Sequence, residues 1–336
     1  MQLVAEIGAS HNNKLNNVFR LMTETTEADA FKIQTWSKDS MAIPGYKAGQ
    51  GPWSQWDLQA LYRKARLPWS WHSEIFEYAK ELEKIVFSSP FDHKSVDFLE
   101  RLDCPAYKIA SFEVVDLPLV TYAAQTGKPI ILSTGQVQPD ELKQVIEAIS
   151  KYNNNIMLLH CVSQYPTNLE QANVGGMLDL RKYGYPVGIS DHSKGDTVPI
   201  VATALGASMI EKHIGLNMKG PDGAFSRSPS SFNAMARKVR DACKAMLNNP
   251  KEPDTDLRRS LYFTQDLPEG TVLTTQHLKT ARPNKGLSPL LLHQVLGLTL
   301  TRNVIQDHPL LTEHLPSVGN STQHDIIKPS MQHQGG

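Results

Sequence analysis

From the third residue to about residue 250 the chain repeats one pattern: a short apolar run, then a stretch whose apolar positions recur at three- and four-residue spacing. Eight runs stand out: LVAEI (3–7), AFKIQ (30–34), IVFSS (85–89), AYKIA (106–110), IILST (130–134), IMLLH (156–160), PVGIS (186–190) and SMIEKH (208–213). Each has the length of a buried strand. The intervening segments read as helices. In ELKQVIEAISKY (141–152), Leu142, Val145, Ile146 and Ile149 fall on one face, and SVDFLERL (95–102) behaves the same way. Strands alternating with helices predict a parallel sheet covered on its faces. Eight such units in about 250 residues predict an α/β fold, the (β/α)8 TIM barrel. An open doubly wound sheet shares the alternation, but AEIGASHNN after the first run lacks the glycine-rich dinucleotide fingerprint.

The pattern changes at NNPKEPDTD (248–256), a Pro, Asn and Asp cluster that reads as a linker. The sequence therefore divides into a barrel at 1–250, a linker at 251–256, a small β-rich domain at 257–316 and a disordered polar tail at 317–336. In the third piece SLYFT, TVLT and LTLTRNV look like strands between turn signals such as PEG and RPNKG. Lys plus Arg equals Asp plus Glu, at 34 each, so no global basic field exists to collect nucleic acid or anionic membrane. No apolar run is long enough for a membrane span, and MQLVAEIGAS carries neither a basic leader nor a cleavage site. The expectation is a cytoplasmic enzyme whose three cysteines, Cys104, Cys161 and Cys243, are reduced thiols.

Candidate chemistry gathers at the C-terminal ends of the eight runs, which a barrel brings to one face. Glu6 closes the first run, Lys32 and Gln34 the second, and Ser88 and Ser89 the third. Lys108 and Ser111 flank the end of the fourth; Ser133 and Thr134 end the fifth and His160 the sixth. Ser190 and His192 follow the seventh, and Glu211 and His213 end the eighth. An ammonium inside an apolar run is costly unless paired. Lys32 and Lys108, with hydroxyls from Ser89, Ser111, Ser133 and Ser190, would make a donor-rich cup suited to a phosphate and a carboxylate. His192 and His213, on adjacent strand ends, could share a divalent metal with positions left open for substrate. Glu6 and Glu113 are candidate acid–base groups. The long segment 45–62 holds Trp53 and Trp56, and Trp69 and Trp71 follow it. These rings could wall a ligand or pack the loop onto the barrel.

At these positions the chain resembles the sialic acid synthase family. AEIGASHNN (5–13), ADAFKIQT (28–35), FSSPFD (87–92), PAYKIASFE (105–113), GKPIILSTG (127–135), LLHCVSQYP (158–166), GISDHS (188–193) and EKH (211–213) occur in family order and spacing. DLPEGTVLTTQHLKTARPNKG (266–286) resembles the antifreeze-like (SAF) domain of that family. WDLQALYRKARLPWSWH (56–72), KIASFE and DGAFSRSP (222–229) look closer to its pseudaminic acid branch than to its N-acetylneuraminate branch. The resemblance implies a transferase joining phosphoenolpyruvate to an N-acetylated amino sugar. Phosphoenolpyruvate would be held by Lys32, Ser89, Lys108, Ser111, Ser133, Ser163 and Ser190. The sugar would be met by Glu6, Gln34, Glu113, Tyr165 and Asp222, and Mn2+ or Mg2+ would sit on His192 and His213. Glu6, Glu113 and His213 would be catalytic. It also implies a domain-swapped homodimer in which Arg282 completes the neighbouring subunit's sugar site. N-acetylneuraminate or legionaminate synthesis, and a Schiff-base aldolase on the same barrel, are the competing chemistries.

Overall fold

The computed structural model describes residues 1–47, 53–217, 219–247 and 253–316. The predicted tail at 317–336 and the first two residues of the predicted linker lie outside them. Each of the eight apolar runs is a strand: β1 (Gln2–Glu6), β2 (Ala30–Thr35), β3 (Ile85–Pro90), β4 (Tyr107–Ile109), β5 (Ile130–Ser133), β6 (Ile156–Cys161), β7 (Val187–Asp191) and β8 (Met209–His213). They pair in parallel and in order, and β8 returns to β1 to close the barrel. Parallel strands buried on both faces need apolar residues almost throughout, which is why the runs are so nearly uninterrupted.

The helical segments form the outer layer: α1 (Leu15–Glu24), α2 (Leu58–Ala65), α3 (His72–Glu81), α4 (His93–Glu100), α5 (Leu117–Gln125), α6 (Pro139–Ser150), α7 (Thr197–Ala204) and α8 (Pro229–Ala245). The α6 helix buries the four apolar residues of its predicted face but begins two residues earlier than its spacing suggested. Pro139 occupies its first turn, and the Glu141 carboxylate accepts the Gln138 N–H at 2.8 Å, satisfying a donor the helix cannot. Asp92 starts α4 in the same spirit, accepting both the N–H and the hydroxyl of Ser95. Between β6 and β7 the connection is a 3-10 stretch, Val174–Tyr183, opened by Asn173 in the left-handed region.

Strand alternation sorts the polar residues between the inside of the barrel and its helix-facing side. On β8, Glu211 and His213 face one way and Lys212 the other. Lys212 is fully buried there, 2.5 Å from Asp191 Oδ2 and 2.6 Å from the Ser193 carbonyl. Ser88 likewise points outward, to Thr35 Oγ1 at 2.7 Å, so only Ser89 of that pair reaches the interior set. No helix among the described residues is long and apolar enough to cross a membrane.

Contacts divide the chain into two compact units, the first ending at Leu247. The second unit has its own core, including Leu261, Phe263, Leu273, Val295, Leu300 and Leu310. Its regular pairing is β9 (Ser260–Phe263) with β10 (Leu278–Ala281), antiparallel. SLYFT thus forms a strand as predicted. TVLT and LTLTRNV do not: they face each other through the isolated bridge of Val272 with Thr299 and a few backbone hydrogen bonds, and Val304 bridges to Leu267. The partner of β9 is LKTA, whose two exposed positions hid it from a search for apolar runs. Strand preference is decided by such neighbours more than by residue type.

Candidate active site

Register places the charged residues level with one another. Glu6 on β1 is opposite Lys32 on β2 and His213 on β8; Gln34 is opposite Ser89, and Ser190 opposite Glu211. Of these, Lys32, Gln34, Ser190, Glu211 and His213 line a cavity of about 950 Å³ counted out to its open mouth, whereas Glu6 and Ser89 do not line it.

The two lysines inside apolar runs are paired, and a carboxylate joins them. Lys108 Nζ lies 3.0 Å from each Glu211 oxygen. Lys32 Nζ lies 2.5 Å from Glu6 Oε2 and 3.8 Å from Glu211 Oε1, and donates to Ser89 Oγ at 3.2 Å. Ser190 donates to Glu211 at 3.0 Å, and Gln34 Nε2 donates to Glu6 Oε1 at 2.8 Å. The predicted cup is therefore not a set of free donors: its ammoniums are already engaged. Burial opposes the charge on Lys32, but Glu211 and Glu6 outweigh it and its pKa rises. For Lys108 burial wins over Glu211, with Lys32 adding repulsion, and the pKa falls. Glu211 is held well below the usual carboxylate range: burial works against ionisation, but Lys108 and Lys32 overcome it.

The remaining predicted residues of the first unit fall around this centre. Ser111 Oγ accepts the Gly135 N–H at 3.1 Å. A Cβ on Gly135 would come within 2.6 Å of Ser163 Oγ and 3.1 Å of Ser111 Oγ, so glycine opens the space between those hydroxyls. Ser133 Oγ is buried without a hydrogen-bond partner. Glu113 lines the cavity with a buried, unpartnered Oε2, and burial lifts its pKa to about 7. Asp222 accepts the Ala9 N–H at 2.7 Å and stands 3.4 Å from His213 Nδ1. Arg282 belongs to the second unit, where its Nε donates to the Leu257 carbonyl.

His192 and His213 have ring centroids 5.4 Å apart and both line the cavity. Burial, then the neighbouring His213, pushes the His192 pKa well below the usual imidazole range, which leaves a neutral ring able to ligate. His213 Nδ1 is buried with no hydrogen-bond partner. Among the described residues no three His, Cys, Asp or Glu side chains gather closely enough to hold a metal unaided. A metal on these two rings would draw its other ligands from substrate or water. The donor set suits that role, because three carboxylates lining the cavity (Glu113, Glu211 and Asp222) would otherwise face an incoming anion with two lysines already paired.

Sequence reasoning named Glu211 only as a strand end and missed it as the hub of both lysines. Its placement two residues before His213 puts both on one face of β8, which was a readable signal. Of the four tryptophans, Trp53 lines the cavity. Trp69 stacks on Phe98 at 4.3 Å, and Trp71 meets His11 edge-on at 6.0 Å. Trp56 is exposed with the Lys64 ammonium over its ring. Phe225 and Cys161 also line the cavity and were not assigned. All three cysteines are free, with burial raising the Cys161 pKa.

The NeuB family model matches residues 22–251, and the SAF domain model matches 258–316. The chain is 40% identical to the pseudaminic acid synthase of Helicobacter pylori over 94% of its own length and 97% of that protein. It is 31% identical to the N,N'-diacetyllegionaminic acid synthase of Legionella pneumophila, covering 93% and 94% of the two chains. Among solved structures, the N-acetylneuraminic acid synthetase of Leptospira borgpetersenii in complex with citrate aligns with a TM-score of 0.68 at 28% identity, over 75% of this chain and 87% of that one.

Proposed function

The chain belongs to the NeuB family, and we propose on that footing that it condenses phosphoenolpyruvate with 2,4-diacetamido-2,4,6-trideoxy-L-altrose and water, giving pseudaminic acid and phosphate. The observation that carries the proposal is the Glu6–Lys32–Glu211–Lys108 chain of buried charges at the mouth of a closed barrel, ringed by serine hydroxyls. The identity of 40% to a pseudaminic acid synthase, against 31% to a legionaminic acid synthase, favours the first sugar over the second.

In the proposed reaction the methylene carbon of phosphoenolpyruvate attacks the aldehyde carbon of the open-chain sugar, forming a carbon–carbon bond. Positive charge develops at the second carbon of the enol. Glu113, which lines the cavity, would offset that charge when ionised. Water adds at that carbon as one of its protons passes to the former aldehyde oxygen, and the tetrahedral intermediate collapses as phosphate leaves with the bridging oxygen and the remaining hydroxyl proton. Lys32 and Lys108 hold the carboxylate and phosphate ends in line, with Ser89, Ser111, Ser133, Ser163 and Ser190 supplying neutral donors. Gln34, Tyr165 and Asp222 meet the sugar, and Glu6 fixes Lys32 and Gln34. A divalent metal, Mn2+ or Mg2+, would be held by His192 and His213 and would polarise the aldehyde oxygen. A Schiff-base aldolase needs a free neutral lysine; against it, both ammoniums here sit on carboxylates.

The protein would act in the cytoplasm as a domain-swapped homodimer, with Arg282 completing the sugar site of the neighbouring subunit. Arg282 lies within the SAF match at 258–316. The decisive experiment is mass analysis of the product from phosphoenolpyruvate and a panel of N-acetylated hexoses, with oxygen-18 at the bridging position. The expected outcome is turnover of the diacetamido altrose sugar with label in phosphate. Label retained in the sugar, or preferential turnover of another sugar, would overturn the proposal.

A further inference from the structure

Three aromatic side chains meet over the mouth of the cavity, and each comes from a different loop. Trp53 precedes α2, Tyr165 follows β6 and Phe225 follows β8. Their ring centroids are 5.1 Å apart for Trp53 and Tyr165, 4.9 Å for Tyr165 and Phe225, and 5.9 Å for Trp53 and Phe225. Edge-on and tilted contacts at these distances make one continuous apolar wall. The wall has two tiers. Tyr165 lies 4.3 Å from His192 and Phe225 lies 4.8 Å from His213, so these two form the inner tier. Trp53 is the outer tier, set on both of them.

The tiers differ in polarity. Tyr165 brings a hydroxyl to the inner tier beside His192. Trp53 has one polar atom, Nε1, and it already donates to the Pro221 carbonyl at 2.9 Å. Phe225 has none. A hydroxyl pressed against Trp53 and Phe225 would give up water without gaining a partner, whereas a methyl group would lose nothing. The indole is also held in place, because the same hydrogen bond ties the loop after β2 to the loop after β8.

We infer that Trp53, seated on Phe225, is a specificity-determining residue for the far end of the sugar: it receives a methyl group on the last carbon and discriminates against a hydroxymethyl group there. The assignment rests on the proposed reaction, which puts the aldehyde beside His192 and His213. An open-chain hexose so placed would extend along the wall, with its last carbon toward Trp53.

The test compares kcat/KM for 2,4-diacetamido-2,4,6-trideoxy-L-altrose with that for its 6-hydroxy counterpart, using the full chain and saturating phosphoenolpyruvate. Wild type should prefer the deoxy sugar by about 10- to 100-fold, the range for an apolar contact confronted with an added hydroxyl. Trp53→Ala and Phe225→His should each bring the ratio to within about threefold. Trp53→Phe loses the bond to Pro221 but keeps a ring, and should retain most of the preference. An unchanged ratio in Trp53→Ala and Phe225→His would overturn the inference. So would a collapse in Trp53→Phe as complete as in Trp53→Ala, since the bond to Pro221 and not the ring surface would then set the preference. If neither sugar reacted with phosphoenolpyruvate in the wild type, the proposed reaction itself would fall and take the inference with it.

Discussion

Glu211→Gln isolates the interaction on which the cavity is built. The substitution keeps the shape and leaves Ser190 an oxygen to donate to, but removes the charge 3.0 Å from Lys108. At an effective dielectric of about 20 the lost attraction is about 5 kcal/mol gross. Lys32 also loses an attraction of about 4 kcal/mol across 3.8 Å, but keeps Glu6 at 2.5 Å as a partner for its charge. Lys108 has no second carboxylate within ion-pair distance among the described residues, and its pKa is already lowered, so part of the penalty is avoided by shedding the proton. A net destabilisation of about 3 kcal/mol follows, at the lower end of the range for breaking a buried pair. For a unit of this size that is a fall in Tm of about 6–12 °C. All five tryptophans lie in the first unit, so urea titration followed by tryptophan fluorescence reports on the barrel. A double-mutant cycle with Lys108→Met should return a coupling of about 2 kcal/mol or more. Inorganic phosphate should raise the Tm of Glu211→Gln more than that of the wild type, because the cavity then holds one negative charge fewer to repel an anion. Additivity within about 0.5 kcal/mol in the cycle would refute the pairing as an energetic unit.

Four further outcomes are expected. Glu113 has a pKa raised from 4.5 to about 7 by burial, so kcat/KM should climb through pH 7 as it ionises, and Glu113→Gln should lose that limb of the profile. The folded form binds this proton more tightly than the unfolded form, so stability is fullest below pH 4.5 and declines by up to about 3 kcal/mol as pH rises through 7, a slope absent from Glu113→Gln in denaturation series. Gly8→Ala should cost about 2 kcal/mol or more and most of the activity: Gly8 has φ +47°, and an added Cβ would stand 2.2 Å from Asp222 Oδ2 and 3.2 Å from His213 Nδ1. Chelation should abolish turnover and Mn2+ restore it, while His213→Ala should weaken Mn2+ binding in calorimetry at least tenfold, roughly the loss expected for a missing ligand; unaltered binding would remove His213 from the metal site. Equimolar mixing of Lys108→Met and Arg282→Ala subunits should recover about a quarter of wild-type activity if Arg282 serves the neighbouring subunit, and none if it serves its own.

Much of the site was legible because barrel strands impose a period of two on an apolar background. Lys32 with Gln34, and Glu211 with His213, are pairs two residues apart, and such pairs must face the same way. What could not be read was which charge meets which. The Lys108–Glu211 pair joins β4 to β8 across the barrel, and no local pattern encodes that distance. Ser88 and Ser89 looked equivalent in the sequence; the pleat sends one to Thr35 and the other to Lys32. Trp53 was indistinguishable from its three neighbours because a loop has no period from which to infer direction. In the second unit, residue type pointed to TVLT and LTLTRNV, whereas pairing with β9 selected LKTA, since a strand needs an edge to join as well as suitable residues.

The Lys212–Asp191 contact on the outer side of β8 bears on how the barrel finds its alignment. Three ionisable residues follow one another on that strand, and the walls on its two sides offer opposite welcomes. Shifted by a single position, the strand would thrust an ammonium among Lys32 and Lys108 and strand a carboxylate and an imidazole beneath the helices. The same electrostatics that ready the cavity for chemistry thereby penalise the neighbouring misalignments of β8.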